Sequence, residues 1–210
     1  MRLALAFVVG CAALGVCAAE SDPVERPQVK PGDSWSYRRM DYFTNQSDGL
    51  LRDTVNFANE RVIQVISKRG RDKESDSAYT AEWNFVASPN DRVFDPHQGL
   101  FKFPMRPGDT RDWVYNVKVP LEGSYEVRHQ RRVKVIGWEE LTVPAGKFRA
   151  LRIESEGPFQ RVDKPISGTS KETAWYVPEA KRYVKWTFEN WNFKGRVQWW
   201  GLELLEFKVQ

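Results

Sequence analysis

Hydrophobic and polar residues alternate along most of this chain, most clearly between Val133 and Ile153. On the entering side Val133, Val135, Leu141 and Val143 recur at near-alternate positions; on the leaving side Leu151 and Ile153 do so, with Ala150 and Arg152 on the opposite face. Between them Val143-Pro144-Ala145-Gly146 places Pro where a turn wants a fixed φ, and Gly where the chain leaves in a conformation awkward for other residues. The stretch predicts a half-buried β-hairpin.

The same period-2 pattern predicts strands over Ser34 to Phe43, Thr54 to Ile66 (one strand or a hairpin), Tyr79 to Val86, Val114 to Val119, Tyr125 to Ile136 and Val197 to Val209. Thr173 to Val177 and Tyr183 to Glu189 flank Pro178 to Arg182 as a second hairpin. Residues 67 to 77, 88 to 99 and 156 to 171, rich in charge, Gly or Pro, read as loops, and no stretch holds a helical period. The expected fold is all-β: an antiparallel sheet curled into a sandwich or an open half-barrel.

Two echoes suggest related half-sheets, over 31 to 100 and 101 to 210. Pro31-Gly32-Asp33-Ser34-Trp35-Ser36-Tyr37 is echoed by Pro107-Gly108-Asp109-Thr110 and, two residues on, Trp113-Val114-Tyr115. Val55-Phe57-Asn59-Arg61-Ile63-Val65 matches Tyr125-Val127-His129-Arg131-Val133-Val135 at alternate positions. In that alignment Arg61 and Arg131 interrupt the apolar series at equivalent places. Either each escapes to water where its strand bends, or both point into one concavity as a cationic floor for an anionic head group, with Ile63, Val65, Val133 and Val135 as its apolar wall.

The first 19 residues change the picture of compartment. Arg2 precedes an apolar run that ends in small residues, the layout of a cleavable secretory leader. The expected organisation is a signal peptide over 1–19, an extended Pro-rich lead-in over 20–31, and one β-rich domain over 32–210. Localisation is then periplasmic or extracellular, and the mature protein does not span a membrane. Cys11 and Cys17, the two cysteines of the 210-residue chain, lie in the leader, so the mature chain has no thiol chemistry. Lipoprotein anchoring is a weaker fit, because Cys11 comes early and Val16 precedes Cys17. The formal net charge of +4 is too small and dispersed to argue for nucleic acid.

Candidate chemistry is sparse. His97 and His129 are the only histidines, and neither has metal-ligand spacing; no metal or cofactor is expected. No G-x-S-x-G elbow occurs. The aromatic content is more suggestive. Of nine tryptophans, Trp199 and Trp200 are adjacent, so in a strand one must leave the core, and an exposed indole suits a sugar or lipid. Arg128, Gln130, Arg132 and Lys134 form a polar row whose plain reading is the wet face of a sheet.

Leu141 to Ile153, followed by Glu172-Thr173-Ala174-Trp175-Tyr176-Val177-Pro178 and Tyr183-Val184-Lys185, resembles the TapB-like group of exported bacterial proteins with domains of unknown function, in which a V-P-A-G-x-F hairpin precedes a T-x-W-Y-x-P strand. The resemblance covers about residues 100 to 208 and implies an extracytoplasmic β-protein without bringing catalytic residues. That group usually has Gly after the W-Y-x-P strand, where this chain has Glu179-Ala180. The expected function is non-enzymatic binding of an apolar or amphipathic envelope component (a lipid or a glycan) or of an envelope protein, with Arg61, Arg131, Trp199 and Trp200 as candidate contacts. The alternatives are an envelope hydrolase built from loops 88 to 100 and 156 to 171 around His97, and a structural component of a surface assembly that docks by an edge strand.

Overall fold

A computed structural model describes residues 23–210 except Asn90 and residues 121–123; the leader expected over 1–19 lies outside the described residues. Twelve strands follow one another as an antiparallel meander: β1 (Ser34–Asp41), β2 (Gln46–Ala58), β3 (Val62–Arg69), β4 (Ser75–Thr80), β5 (Phe85–Ala87), β6 (Val93–Asp95), β7 (Thr110–Val119), β8 (Tyr125–Val143), β9 (Gly146–Arg161), β10 (Ser167–Val177), β11 (Arg182–Asn192) and β12 (Gly195–Lys208). Each pairs with its sequence neighbours, and β1 pairs with β12 from Ser34↔Lys208 to Asp41↔Trp200, closing the sheet into a barrel.

The expected sandwich or open half-barrel is therefore wrong in its closure, though right in being all-β. Period-2 alternation says which face of each strand is buried, but nothing about whether the first and last strands meet. What lets them meet is coiling. Bulges interrupt the ladders at Ser36/Tyr37, Val55/Phe57, Val135/Gly137, Trp175/Tyr176 and Asn190/Trp191, and each adds local twist to the sheet.

The interior is mostly apolar, with a few buried charges set into it. Trp35, Tyr37, Val55, Ile63, Val65, Val133, Val135, Leu151, Ile153, Val184 and Leu204 form part of one buried cluster, while Arg132, Lys134, Lys171 and Glu189 face outward. A membrane-spanning barrel has the opposite arrangement, an apolar outer band.

Six hairpins point to one end of the barrel, the tip end. The other end is stoppered. Residues 96–109 fold across it, with Leu100, Phe101 and Met105 buried, and the N-terminal segment pairs there through Val24 and Met105. Gly99 (φ 74°) allows the crossing, because a Cβ would lie 2.1 Å from the Trp113 ring. Asn84 clamps Phe101 by donating to its carbonyl and accepting from its N–H, each at 2.8 Å.

One expected loop and one expected strand position differ in the structure. Residues 156–171 are mostly strand, the long arms of the β9–β10 hairpin. Trp83, placed in a strand by its spacing from Phe85, sits in the β4–β5 turn with φ 64°, where its indole N–H donates to the Lys181 carbonyl at 2.8 Å. Tertiary capture of the ring overrides the local pattern.

The first echo is structural and the second is out of register. In both Pro-Gly-Asp turns the glycine φ is near 90°, at 93° for Gly32 and 91° for Gly108. Gly32 N donates to Val55 O and Gly108 N to Val135 O, each at 2.8 Å. The returning bonds run from Val55 N to Asp33 O (2.9 Å) and from Val135 N to Asp109 O (2.8 Å). The two turns thus begin corresponding hairpins, β1–β2 and β7–β8, with Val55 equivalent to Val135. In that register Leu51, not Arg61, corresponds to Arg131.

Candidate functional site

Ladder registers bring three rows of outward side chains side by side across β9 to β12. The middle row is low: Thr173 stands opposite Thr187, and Thr187 opposite Gly201. On one side runs Arg152, Trp175, Lys185 and Glu203, and on the other Lys171, Glu189 and Trp199. Short side chains between tall ones make a trough running across the strands, with a volume of about 240 Å³.

Tyr42 closes one end. It follows β1 and lies over β12, donating from its hydroxyl to Glu203 Oε1 at 3.3 Å, and its ring is 5.5 Å from that of Trp199. Gly201 makes room for it: a Cβ there would sit 2.9 Å from Tyr42 Cε2 and 2.4 Å from the Trp186 carbonyl oxygen. The Trp175 ring forms the other aromatic wall, fixed by its indole N–H donating to Glu139.

The charges of the trough are mutually paired. Arg152 meets Glu139 and Glu154, Lys171 meets Glu154 at 3.0 Å, Lys185 meets Glu203 at 3.4 Å, and Arg196 meets Glu189 at 3.1 Å. Partial burial raises the Glu154 and Glu203 pKa values, but the bonds from Lys171 and Arg152, and from Arg38 and Lys185, outweigh it and hold both below the usual carboxylate range. Burial, then the Glu203 carboxylate, raises the Tyr42 pKa, so its hydroxyl stays protonated. Lys185 Nζ stands 5.7 Å from the Tyr42 ring and 5.5 Å from the Trp175 ring, attracted by both ring faces. The result is a nearly neutral strip, dense in oriented donors and acceptors and bounded by three aromatic rings.

Among the expected contact residues, Trp199 belongs to this trough. Trp200 points the other way, into the barrel, where its ring packs 4.8 Å from that of Trp186 and takes the Arg39 guanidinium at 4.5 Å. The pair therefore splits between the two faces, as adjacent strand residues must. Arg61 is exposed in the β2–β3 turn at the stoppered end, whereas Arg131 is buried in β8. The shared cationic floor is not what the fold builds, because the echo that paired the two was out of register. Ile63 and Val133 do share one interior.

Arg131 is a cross-brace. Its Nη1 donates to Gly157 O (2.8 Å) and Ser170 O (2.9 Å), and its Nη2 donates to Ser170 Oγ (2.5 Å), tying β8 to β9 and β10. Nη2 also lies 2.8 Å from His129 Nδ1, which accepts that bond with its proton on Nε2. Burial and the Arg131 charge lower the His129 pKa to about 3. Nearby, Gln98 donates to the buried Glu172, whose pKa is raised by burial against the opposing pull of Arg131. His97 stacks on Trp113 at the stoppered end, while residues 156–171 form the distal arms and tip of the β9–β10 hairpin. Sheet closure removes the edge that strand docking would need.

The remaining unusual group is Arg182, which is 1% exposed. Its guanidinium bonds Asp53 at 2.8 Å and faces the rings of Trp35, Tyr37, Tyr79, Trp83 and Tyr183 at 4.6–5.8 Å. Burial works against its charge, yet the surrounding tyrosines and Asp53 push its pKa well above the ordinary guanidinium value. Sequence reasoning missed it, since Arg182 stood in an expected turn. The only signal was the number of aromatics in the neighbouring strands.

No family model matches the chain, and no curated protein matches it. The resemblance of the 141–153 and 172–178 motifs to the TapB-like group gains no support there. The fold itself is shared with known structures. The chain is similar to a protein from Bacteroides fragilis inferred to be exported, with a YmcC-like fold: 17% identity over 88% of this chain and 99% of that one, with a TM-score of 0.54. It also matches a protein from Parabacteroides distasonis inferred to be a lipoprotein, at 12% identity over 89% and 100% of the two chains and a TM-score of 0.48. The likeness to the first is one of fold.

Proposed function

We propose that this is an exported, non-catalytic binding protein that holds the sugar-bearing part of an amphipathic envelope component in the Tyr42–Trp175–Trp199 trough. The leader-like N-terminus supports export, as does the inferred export of the Bacteroides neighbour. A charged exterior around an apolar interior supports a protein that does not span the bilayer.

The observation that carries the reading is the trough's composition. A pyranose presents a C–H face that stacks on an aromatic ring and hydroxyl edges that need paired donors and acceptors. Here Trp175, Tyr42 and Trp199 supply the rings, the ion-paired Arg152, Lys171, Lys185 and Glu189 supply the edge contacts, and two threonines leave the floor low enough for a ring to settle. The lysines and the glutamate that line it are committed to ion pairs, with Glu154, Glu203 and Arg196, which supports a binding role. Native mass spectrometry of protein recovered from its own envelope tests this. The expected result is a retained sugar-bearing molecule, absent from Trp175→Ala. A stoichiometric protein in its place, or a retained ligand indifferent to that substitution, refutes it.

A further inference from the structure

Three neighbouring hairpins at the tip end carry large, exposed apolar residues. Phe193 is 92% exposed at the β11–β12 tip, Phe43 is 55% exposed at the β1–β2 tip, and Val162 (67%) and Ile166 (48%) cap the β9–β10 tip. These hairpins are consecutive around the barrel, because β1 pairs with β12 and β11 with β10. The next hairpin beyond β1–β2, the β3–β4 turn of residues 70–74, reads Gly-Arg-Asp-Lys-Glu and ends the apolar run; across the rim, Val93 of the β5–β6 hairpin is 44% exposed. Four exposed large apolar residues, the two most exposed of the described residues among them, thus share one arc of the rim, and an apolar arc of this kind marks a contact surface.

We propose that this arc docks the protein on a bilayer surface containing anionic phospholipid, with Phe43, Val162, Ile166 and Phe193 entering the head-group boundary. Charge selects this occupant. Two of the acids near the tips are ion-paired within the fold, Asp163 with Arg161 at 2.6 Å and Glu189 with Arg196 at 3.1 Å, and Asp41 accepts from the Phe43 N–H at 2.8 Å. Lys164 and Lys194 stand beside the apolar tips without an ion pair among the described residues, and Lys194 Nζ lies 5.5 Å from the Phe193 ring. Aromatic and aliphatic tips interleaved with lysines are the composition of a membrane-surface contact. The core of a protein interface excludes lysine instead, and separate protruding tips make a poor flat face for a second copy. The arc is contiguous with the trough, since the Phe43 ring lies 6.3 Å from that of Trp199. Docking would set the trough against the head groups, although the proposal does not depend on the trough's ligand.

The test is flotation of the chain beginning at Glu20, which contains the whole barrel, with vesicles of phosphatidylethanolamine and phosphatidylglycerol, and with vesicles of phosphatidylcholine alone. The wild type is expected to float with the anionic vesicles, less so with the neutral ones, and less as salt is raised. Phe193→Asp with Val162→Asp, which remove no packing, should weaken partitioning about tenfold or more, and Lys164→Glu with Lys194→Glu should weaken it on anionic vesicles only. Failure of the wild type to float, or flotation unchanged in the Phe193/Val162 variant, overturns the proposal. So does sedimentation showing a dimer that Phe193→Asp dissociates, since the arc would then join two copies. Trough variants should leave flotation unchanged.

Discussion

Replacing Arg182 by Met removes the one cation of a fully buried cluster and leaves Asp53, itself 2% exposed, with only the Ser67 hydroxyl at 2.7 Å. Breaking a buried pair in this way costs about 3–5 kcal/mol, because the stranded carboxylate keeps its desolvation penalty. Asp53→Asn should cost less, about 1–3 kcal/mol, since the guanidinium keeps its five rings and one of its hydrogen-bond partners remains. Arg182→Met combined with Asp53→Asn strands neither charge and should fall short of the sum of the single losses by about 2 kcal/mol. Urea unfolding of the four proteins of this cycle at fixed pH measures it. At about 2–4 °C per kcal/mol for a domain of this size, Arg182→Met should lower Tm by about 10 °C. Additive losses, or an Asp53→Asn cost equal to that of Arg182→Met, would refute the view that ring faces sustain this cation.

Gly146 opens β9 at φ 141° with its nearest would-be Cβ contact at 3.9 Å, so Gly146→Val should destabilise by about 1 kcal/mol or more through backbone strain alone, visible as a lower urea midpoint. His129 has a folded pKa of about 3, below its unfolded value, so the unfolded chain gains the proton first and stability should fall as pH drops from about 6.5 towards 3, by up to about 1.4 kcal/mol per pH unit. His129→Phe should flatten that limb; a limb of unchanged slope would show that another group carries it. Glu172, with its pKa raised, contributes with the opposite sign, losing stability as pH rises above its unfolded pKa, so Glu172→Gln should gain stability at neutral pH relative to wild type. Gly201→Ala should displace Tyr42 and cost about 1–3 kcal/mol by overpacking, with Tyr42 hydrogen exchange and trough binding both affected.

The central hairpin was readable because Val133, Val135, Leu151 and Ile153 all belong to a half-buried strand, and half-burial writes itself as alternation. The split of Trp199 from Trp200 followed from the same geometry. Closure was not readable, because the pairing of Trp35 with Phe207 depends on coiling summed over many bulges, none of which has a fixed sequence mark. The two echoes show both limits. The Pro-Gly-Asp turns were legible, since a positive φ and an Asp carbonyl returning to the neighbouring strand demand particular residues. The Val55 to Val65 echo was not reliable, since alternation is identical under any even shift. The trough escaped notice because its residues come from the end of β1 and from four later strands, and it exists only once Thr173, Thr187 and Gly201 are in register. At the W-Y-x-P turn the missing glycine is replaced two residues later: Lys181 takes the left-handed conformation at φ 56°, held by its ammonium on Asp33 and the Gln210 carbonyl.

The most direct measurement is isothermal titration of the barrel with oligosaccharides released by mild acid from the envelope of the native host, compared with Trp175→Ala and Trp199→Ala proteins of unchanged Tm. Binding by the wild type that weakens about tenfold or more in each variant, as loss of a stacked ring from a binding site requires, is the predicted outcome. No heat of binding with the wild type, or equal affinity in all three proteins, would contradict the assignment of the trough as a saccharide site.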